Sequence, residues 1–174
     1  QEEMSKNVIV CTGSITDRLK KDWGVNDVWN KIILPRFLRL NEITNSNLFT
    51  TTNTNNKIIP TMPLALQKGF NKKRIDHRHH AMDAIVIACA NRNIVNYLSN
   101  ESASKNAKIS RLDLRQILCT RTKPDTFGNY QWIINKPWET FTQDVHTILE
   151  NMIVSFKQNL RIINKTTNHY FRYQ

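Results

Sequence analysis

Apolar residues in this chain gather into short runs and helical stripes, with long polar stretches between them. "NVIVCTG" (residues 7–13) is a β-branched run closed by glycine, the pattern of a buried strand and a turn. Ser14 and Asp17 stand as a capping pair for a helix that stops at Gly24, with Ile15, Leu19 and Trp23 on one face. A second helix, "DVWNKIIL", is predicted between Asn26 as its cap and Pro35 as its end, and "RFLRLNEI" is a further short helical stretch. Residues 44–57, rich in Asn and Thr, read as a surface loop, and "IIPTMPLALQKGF" as extended chain. Asp76 is placed to cap one long helix over residues 77–98. A polar region follows, then an ambiguous strand or short helix in "ISRLDLRQIL" and a short strand in "NYQWII". Pro137 suits the first turn of a last helix, with Trp138, Phe141, Val145, Ile148 and Leu149 spaced for one face, before a strand at "MIVSF". The alternation of strand and helix predicts an α/β fold with no internal repeat.

Composition narrows the partner. The chain has 174 residues, 40% of them hydrophobic, so one domain with a sizeable core is expected. Its net charge of +11 and pI of about 9.8 favour a polyanion, with nucleic acid first. Cys11, Cys89 and Cys119 are odd in number and widely spaced, as free thiols in a reducing compartment would be. No run is apolar and long enough to span a membrane, and no leader pattern is visible. A first residue of Gln1 rather than Met suggests a piece of a longer protein.

The chemistry concentrates in "KRIDHRHHAMDAIVIACA" (residues 73–90). From residue 81 to residue 90, Asp83 is the one side chain that is neither apolar nor a thiol. At 3.6 residues per turn, His79 and His80 both share a helix face with Asp83, while Ala81, Ala84, Ile85 and Ala88 form a stripe that would let the helix approach a sheet. A buried carboxylate requires compensation, from an arginine or lysine, a hydrogen-bond network or a metal ion. A divalent cation with oxygen ligands accounts for both the burial and the single position, and a neighbouring histidine could then take a proton from a water attacking a phosphodiester. The structural alternative pairs Asp83 with Arg78 or a distant lysine and leaves the histidines exposed. Zinc is disfavoured, because His77, His79 and His80 lack the i, i+4 pair of the H-E-x-x-H type.

The segment "DHRHHAMDAIVIACA" resembles the third RuvC-like segment of the type II CRISPR-associated, RNA-guided DNA endonucleases, whose pattern H-H-A-x-D-A is matched by His79, His80, Ala81, Asp83 and Ala84. "GSITDRLKKDWGVND" looks like the strand exit and helix that precede this motif in that family, and "PWETFTQDVHTILENMIVSFKQNLRIINKTTNHY" is similar to the segment after it in the smaller members. The resemblance implies an RNase H-like (RuvC) nuclease fold, incomplete in this chain, that cuts the displaced DNA strand with two Mg2+ ions, or Mn2+ in their place. It implies Asp83 as a metal ligand and His80 as the general base, with His79 a neighbour of unassigned role. The family's other two carboxylates belong to RuvC segments that this sequence does not contain.

The implied organisation is a nuclease segment over residues 1–151, with its catalytic helix at about 77–98 and polar loops at about 41–70 and 99–136. Residues 152–174 begin the next domain with a basic tail, in which Lys157, Arg161 and Lys165 are candidate contacts to a nucleic-acid backbone. Guide RNA, target DNA and the rest of a parent polypeptide are the implied partners, in a bacterial cytoplasm. Two other classes stay open. One is a non-catalytic basic nucleic-acid-binding module. The other is a stand-alone RNase H-like nuclease or resolvase, which would need Asp17, Asp22 or Asp113 to converge on Asp83.

Overall fold

The chain folds as a helical assembly carrying two small strand pairs, seen in a computed structural model that describes residues 10–54, 56–68, 76–99 and 111–154. Helix α1 (Gly13–Asp22) buries Ile15 and Leu19 with the following Trp23, as the i, i+4, i+8 spacing predicts. It starts one residue before the expected cap. Thr12 occupies the N-cap, its hydroxyl lies 3.0 Å from that of Ser14, and Asp17 turns to Lys20 instead of back to the helix start. The strand expected at the beginning of the chain is not formed at residues 10–12, and its first residues lie outside the described ones.

Gly24 joins α1 to α2 (Val25–Thr44) at a φ of 71°, a left-handed conformation that a side chain would strain. The Thr142 hydroxyl donates to the Trp23 carbonyl at 2.8 Å beside it. Helix α2 runs straight through Pro35, where the sequence suggests a break. Proline inside a helix costs about 3 kcal/mol or more. Burial of Val25, Val28 and Trp29 before it, with Ile33 and Phe37 around it, offsets that cost. Each such side chain contributes about 1.5–3 kcal/mol when fully buried.

Residues 44–57 are not a plain loop. Strands β1 (Thr50–Thr52) and β2 (Ile58–Pro60) form an antiparallel pair with Thr51 opposite Ile59. The buried Asn41 anchors it to α2: its carbonyl accepts from the Phe49 N–H at 2.9 Å and its amide donates to the Thr50 hydroxyl at 2.9 Å. One-turn helix α3 (Leu64–Gln67) follows.

The single helix expected over residues 77–98 is two: α4 (Arg78–Cys89) and α5 (Arg92–Leu98). Asn91 makes the break, capping α5 by accepting the Ile94 N–H at 2.9 Å. The ambiguous segment is helical, α6 (Arg111–Leu118), and leads directly into β3 (Cys119–Arg121). β3 pairs antiparallel with β4 (Trp132–Ile134), the strand expected in "NYQWII". Helix α7 (Phe141–Asn151) starts four residues after Pro137 and buries Phe141, Val145 and Leu149, while Trp138 and Ile148 are exposed. Residues 152–154 are irregular where a strand was expected, and the remainder of that segment lies outside the described residues.

The core joins α1, α2, α4 and α7, with Trp23 edge-on to Phe141 at 5.2 Å. Helix α4 buries Met82 and Val86 there, whereas Ala84 and Ala88 of the expected alanine stripe are exposed. The described strands form two separate antiparallel pairs. The mixed helix and strand content fits a partial α/β fold.

Candidate nuclease site

The polar end of α4 is built on a carboxylate that the sequence pattern marked only as a cap. Asp76 is fully buried, with 0% of its side chain exposed. One of its oxygens accepts the Arg78 backbone N–H at 3.0 Å. The Arg78 guanidinium donates to both carboxylate oxygens, at 3.0 Å from Nε and 2.6 Å from Nη2. Arg36, from the helix turn just after Pro35, adds a contact of 3.1 Å. Arg78 also donates from Nη1 to the Leu149 carbonyl at 3.0 Å, tying the start of α4 to the end of α7. Burial by itself would raise the Asp76 pKa, but the Arg78 hydrogen bonds and the two guanidinium charges outweigh it and hold the carboxyl below its ordinary value.

This network also fixes a histidine. His79 Nδ1 lies 2.8 Å from the Asp76 carbonyl oxygen. A carbonyl only accepts, so Nδ1 carries the proton, and Nε2 is the acceptor of a neutral ring. The His79 ring is half-buried, edge-on to Trp29 at 6.1 Å. His80 is exposed, with its ring 3.9 Å from that of His79 and 6.3 Å from that of His77, which lies nearly parallel.

Asp83 lies one turn further along the same helix. It is partly exposed, at 31% of its side chain, and so is not the enclosed acid that its apolar neighbours suggest. Those neighbours divide by face: Met82 and Val86 point into the core, while Ala84 and Ile87 do not. Its compensation is a distant lysine, one of the alternatives the sequence leaves open. Lys20 of α1 donates to Asp83 Oδ1 at 2.9 Å and to Asp17 at 2.8 Å. Burial alone would lower the Lys20 pKa, but the hydrogen bonds from its ammonium to Asp17 and Asp83 dominate and raise it. Of the three acids that could have joined Asp83, Asp17 shares Lys20 with it. Asp22 is bound to Arg18 at 2.9 Å and accepts the Ile134 N–H at 3.0 Å, and Asp113 lies on α6.

The chain matches the family model of RuvC endonuclease subdomain 3 over residues 1–163. It belongs to that family. No curated protein matches the chain. RuvC proteins are endonucleases, hydrolases of the phosphodiester bond that generally depend on a divalent metal ion, and this segment is read accordingly.

Whether the RuvC segment can hold such an ion is a question about its donors. Among the described residues, no three His, Cys, Asp or Glu side chains are grouped to hold a metal ion. Asp83 does fit as one oxygen ligand, because it is accessible and its ammonium partner engages Oδ1. The basic candidates Lys157, Arg161 and Lys165 lie outside the described residues. Sequence reasoning missed Lys20, Arg36 and the enclosure of Asp76. Lys20 and Thr16 border the Ile15, Leu19, Trp23 stripe, and both are buried.

Proposed function

We propose that this RuvC segment is part of a type II CRISPR-associated, RNA-guided DNA endonuclease and contributes to hydrolysis of the displaced, non-target DNA strand. The observation that carries the reading is the arrangement of α4, where an exposed His80 and an accessible Asp83 stand three residues apart on a helix whose start is locked by Asp76 and Arg78. His80 acts as general base. Its ring nitrogen takes a proton from water while the water oxygen attacks phosphorus and the bond from phosphorus to the leaving sugar oxygen breaks. Asp83 would hold one side of a Mg2+ or Mn2+ site completed by carboxylates outside this chain, and the ion supplies charge neutralisation at the phosphate when bound. Guide RNA and target DNA are the partners, with sequence read by base pairing.

The test is strand-specific cleavage by the full-length nuclease. With Asp83→Ala, the displaced strand stays intact while the other strand is cut and target binding persists. Continued cutting of both strands would remove Asp83 from the site. The isolated chain is expected not to nick DNA with Mg2+, and nicking lost on Asp83→Ala would revive the stand-alone nuclease. The Lys20 pairing favours a second reading, a basic nucleic-acid-binding module in which Asp83 is a structural acid. Under it, Asp83→Ala leaves cleavage unchanged. In the tail, Lys157 and Arg161 are expected to contact phosphates, with Lys165 beside them. Changing the first two to Ala should reduce the slope of log K against log salt by roughly one unit for each phosphate no longer neutralised. An unchanged slope for both RNA and DNA would place these side chains in solvent.

A further inference from the structure

Lys20 is a buried ammonium that the proposed chemistry does not use. Its side chain is 5% exposed, although it ends on two carboxylates that are 69% and 31% exposed, Asp17 and Asp83. Pairing with Asp17 three residues away on its own helix gives little reason to leave water, since exposed helix pairs of this kind contribute about 0.3–0.5 kcal/mol. The ammonium instead reaches across to α4 and stops on a single oxygen of Asp83. Both helices it connects are anchored in the core. Leu19 and Trp23 are fully buried on either side of it in α1, and Met82 and Val86 pin α4 around Asp83. The freedom that remains at Asp83 is rotation about its own two side-chain torsions, and a 2.9 Å bond to Oδ1 stops both.

We infer that Lys20 is the positioning residue of Asp83, fixing one carboxylate oxygen so that the other is aimed outward as a metal ligand. This rests on the proposed role of Asp83 as a ligand. With a side chain so enclosed, the ammonium cannot reach a phosphate without leaving both acids, so it acts through Asp83 and not on the substrate. Ligating carboxylates are commonly held by such outer partners, whose loss costs about 10–100-fold in metal affinity or activity.

The experiment measures Mn2+ binding to the full-length nuclease by electron paramagnetic resonance, with the Mg2+ dependence of displaced-strand cleavage and thermal melting in parallel. Lys20→Met should raise the Mn2+ concentration for half-occupancy by about 10–100-fold, and Lys20→Arg should restore it to within a few-fold. Should the methionine variant fail to fold, Lys20→Gln, which keeps an N–H donor without the charge, is judged by the same shift. Unchanged Mn2+ affinity with a lower melting temperature would make Lys20 only a clamp between α1 and α4. Tighter Mn2+ binding would make the ammonium a competitor of the ion. Either result overturns the inference. Asp83→Asn separates the two levels: if it leaves Mn2+ binding intact, the reading of Asp83 fails, and if it abolishes binding that Lys20→Met does not touch, only the role of Lys20 fails.

Discussion

Two carboxylates seven residues apart, Asp76 and Asp83, are both compensated by cations, and they are compensated in opposite ways. Asp76 has no exposed side-chain surface, and two guanidiniums and a backbone N–H saturate its oxygens. Asp83 is about one-third exposed and is held by one ammonium on one oxygen. An acid enclosed on all sides has nothing left to offer a ligand, and its value is architectural. An acid held on one side keeps a fixed direction and an unused oxygen, which is the form that a working site requires. Enclosure alone would therefore select Asp76, whereas the proposed function rests on the accessible Asp83.

The largest effect expected on either side of this comparison is on activity at Asp83. Asp83→Asn keeps the shape, and cleavage of the displaced strand should fall by more than about 100-fold, beyond the usual loss of an outer-shell partner, with little change in melting temperature. A melting loss as large as that at Asp76 would erase the distinction. Next is stability at Asp76. Asp76→Ala leaves Arg78 and Arg36 facing each other without a counter-charge, and breaking such a buried pair costs about 3–5 kcal/mol. Urea unfolding of the variant checks this, and a loss below about 1 kcal/mol, the scale of a surface pair, would show that water reaches the network.

The histidines sharpen the contrast further. His80→Ala should slow displaced-strand cleavage by about 10²–10⁴-fold, the range for a general base, and His79→Ala should do less because its ring is half-buried against Trp29 whereas that of His80 is exposed. Single-turnover rates of the two variants decide it, and equal losses would remove the assignment to His80. The pH dependence of stability is smaller. The Asp76 carboxyl is held below its ordinary 3.8, so its contribution is complete above that value and disappears as pH falls through the folded-state pKa. Acid unfolding followed by circular dichroism should become shallower below about pH 4 in Asp76→Asn, where that titrating group is gone. The smallest effect is at the break after α4: Asn91→Ala should cost about 1 kcal/mol, with cleavage unchanged.

Much of this molecule was legible as pattern. The stripe Ile15, Leu19, Trp23 and the face Phe141, Val145, Leu149 are buried as their spacing requires, because helical periodicity is a local property of the chain. The motif around His79, His80 and Asp83 resembles a RuvC segment, and the family match over residues 1–163 agrees with that RuvC character. Local signals failed where distant residues decided. Pro35 does not end α2, because the apolar face on both sides of it is buried against the rest of the core. Asn91 divides what periodicity joined, since its side chain satisfies a backbone N–H that a continuous helix would have bonded otherwise. Above all, apolar neighbours in sequence suggested that Asp83 was enclosed and said nothing of Asp76. Which acid meets two arginines and which meets one lysine depends on how α1 and α2 pack beside α4, with Lys20 63 residues from Asp83 along the chain. The sequence by itself determined the residue types of the candidate site and the run of residues that forms the helix carrying them. Only the tertiary structure decided which carboxylate is sealed and which remains open, because charge compensation acts through space and not along the chain.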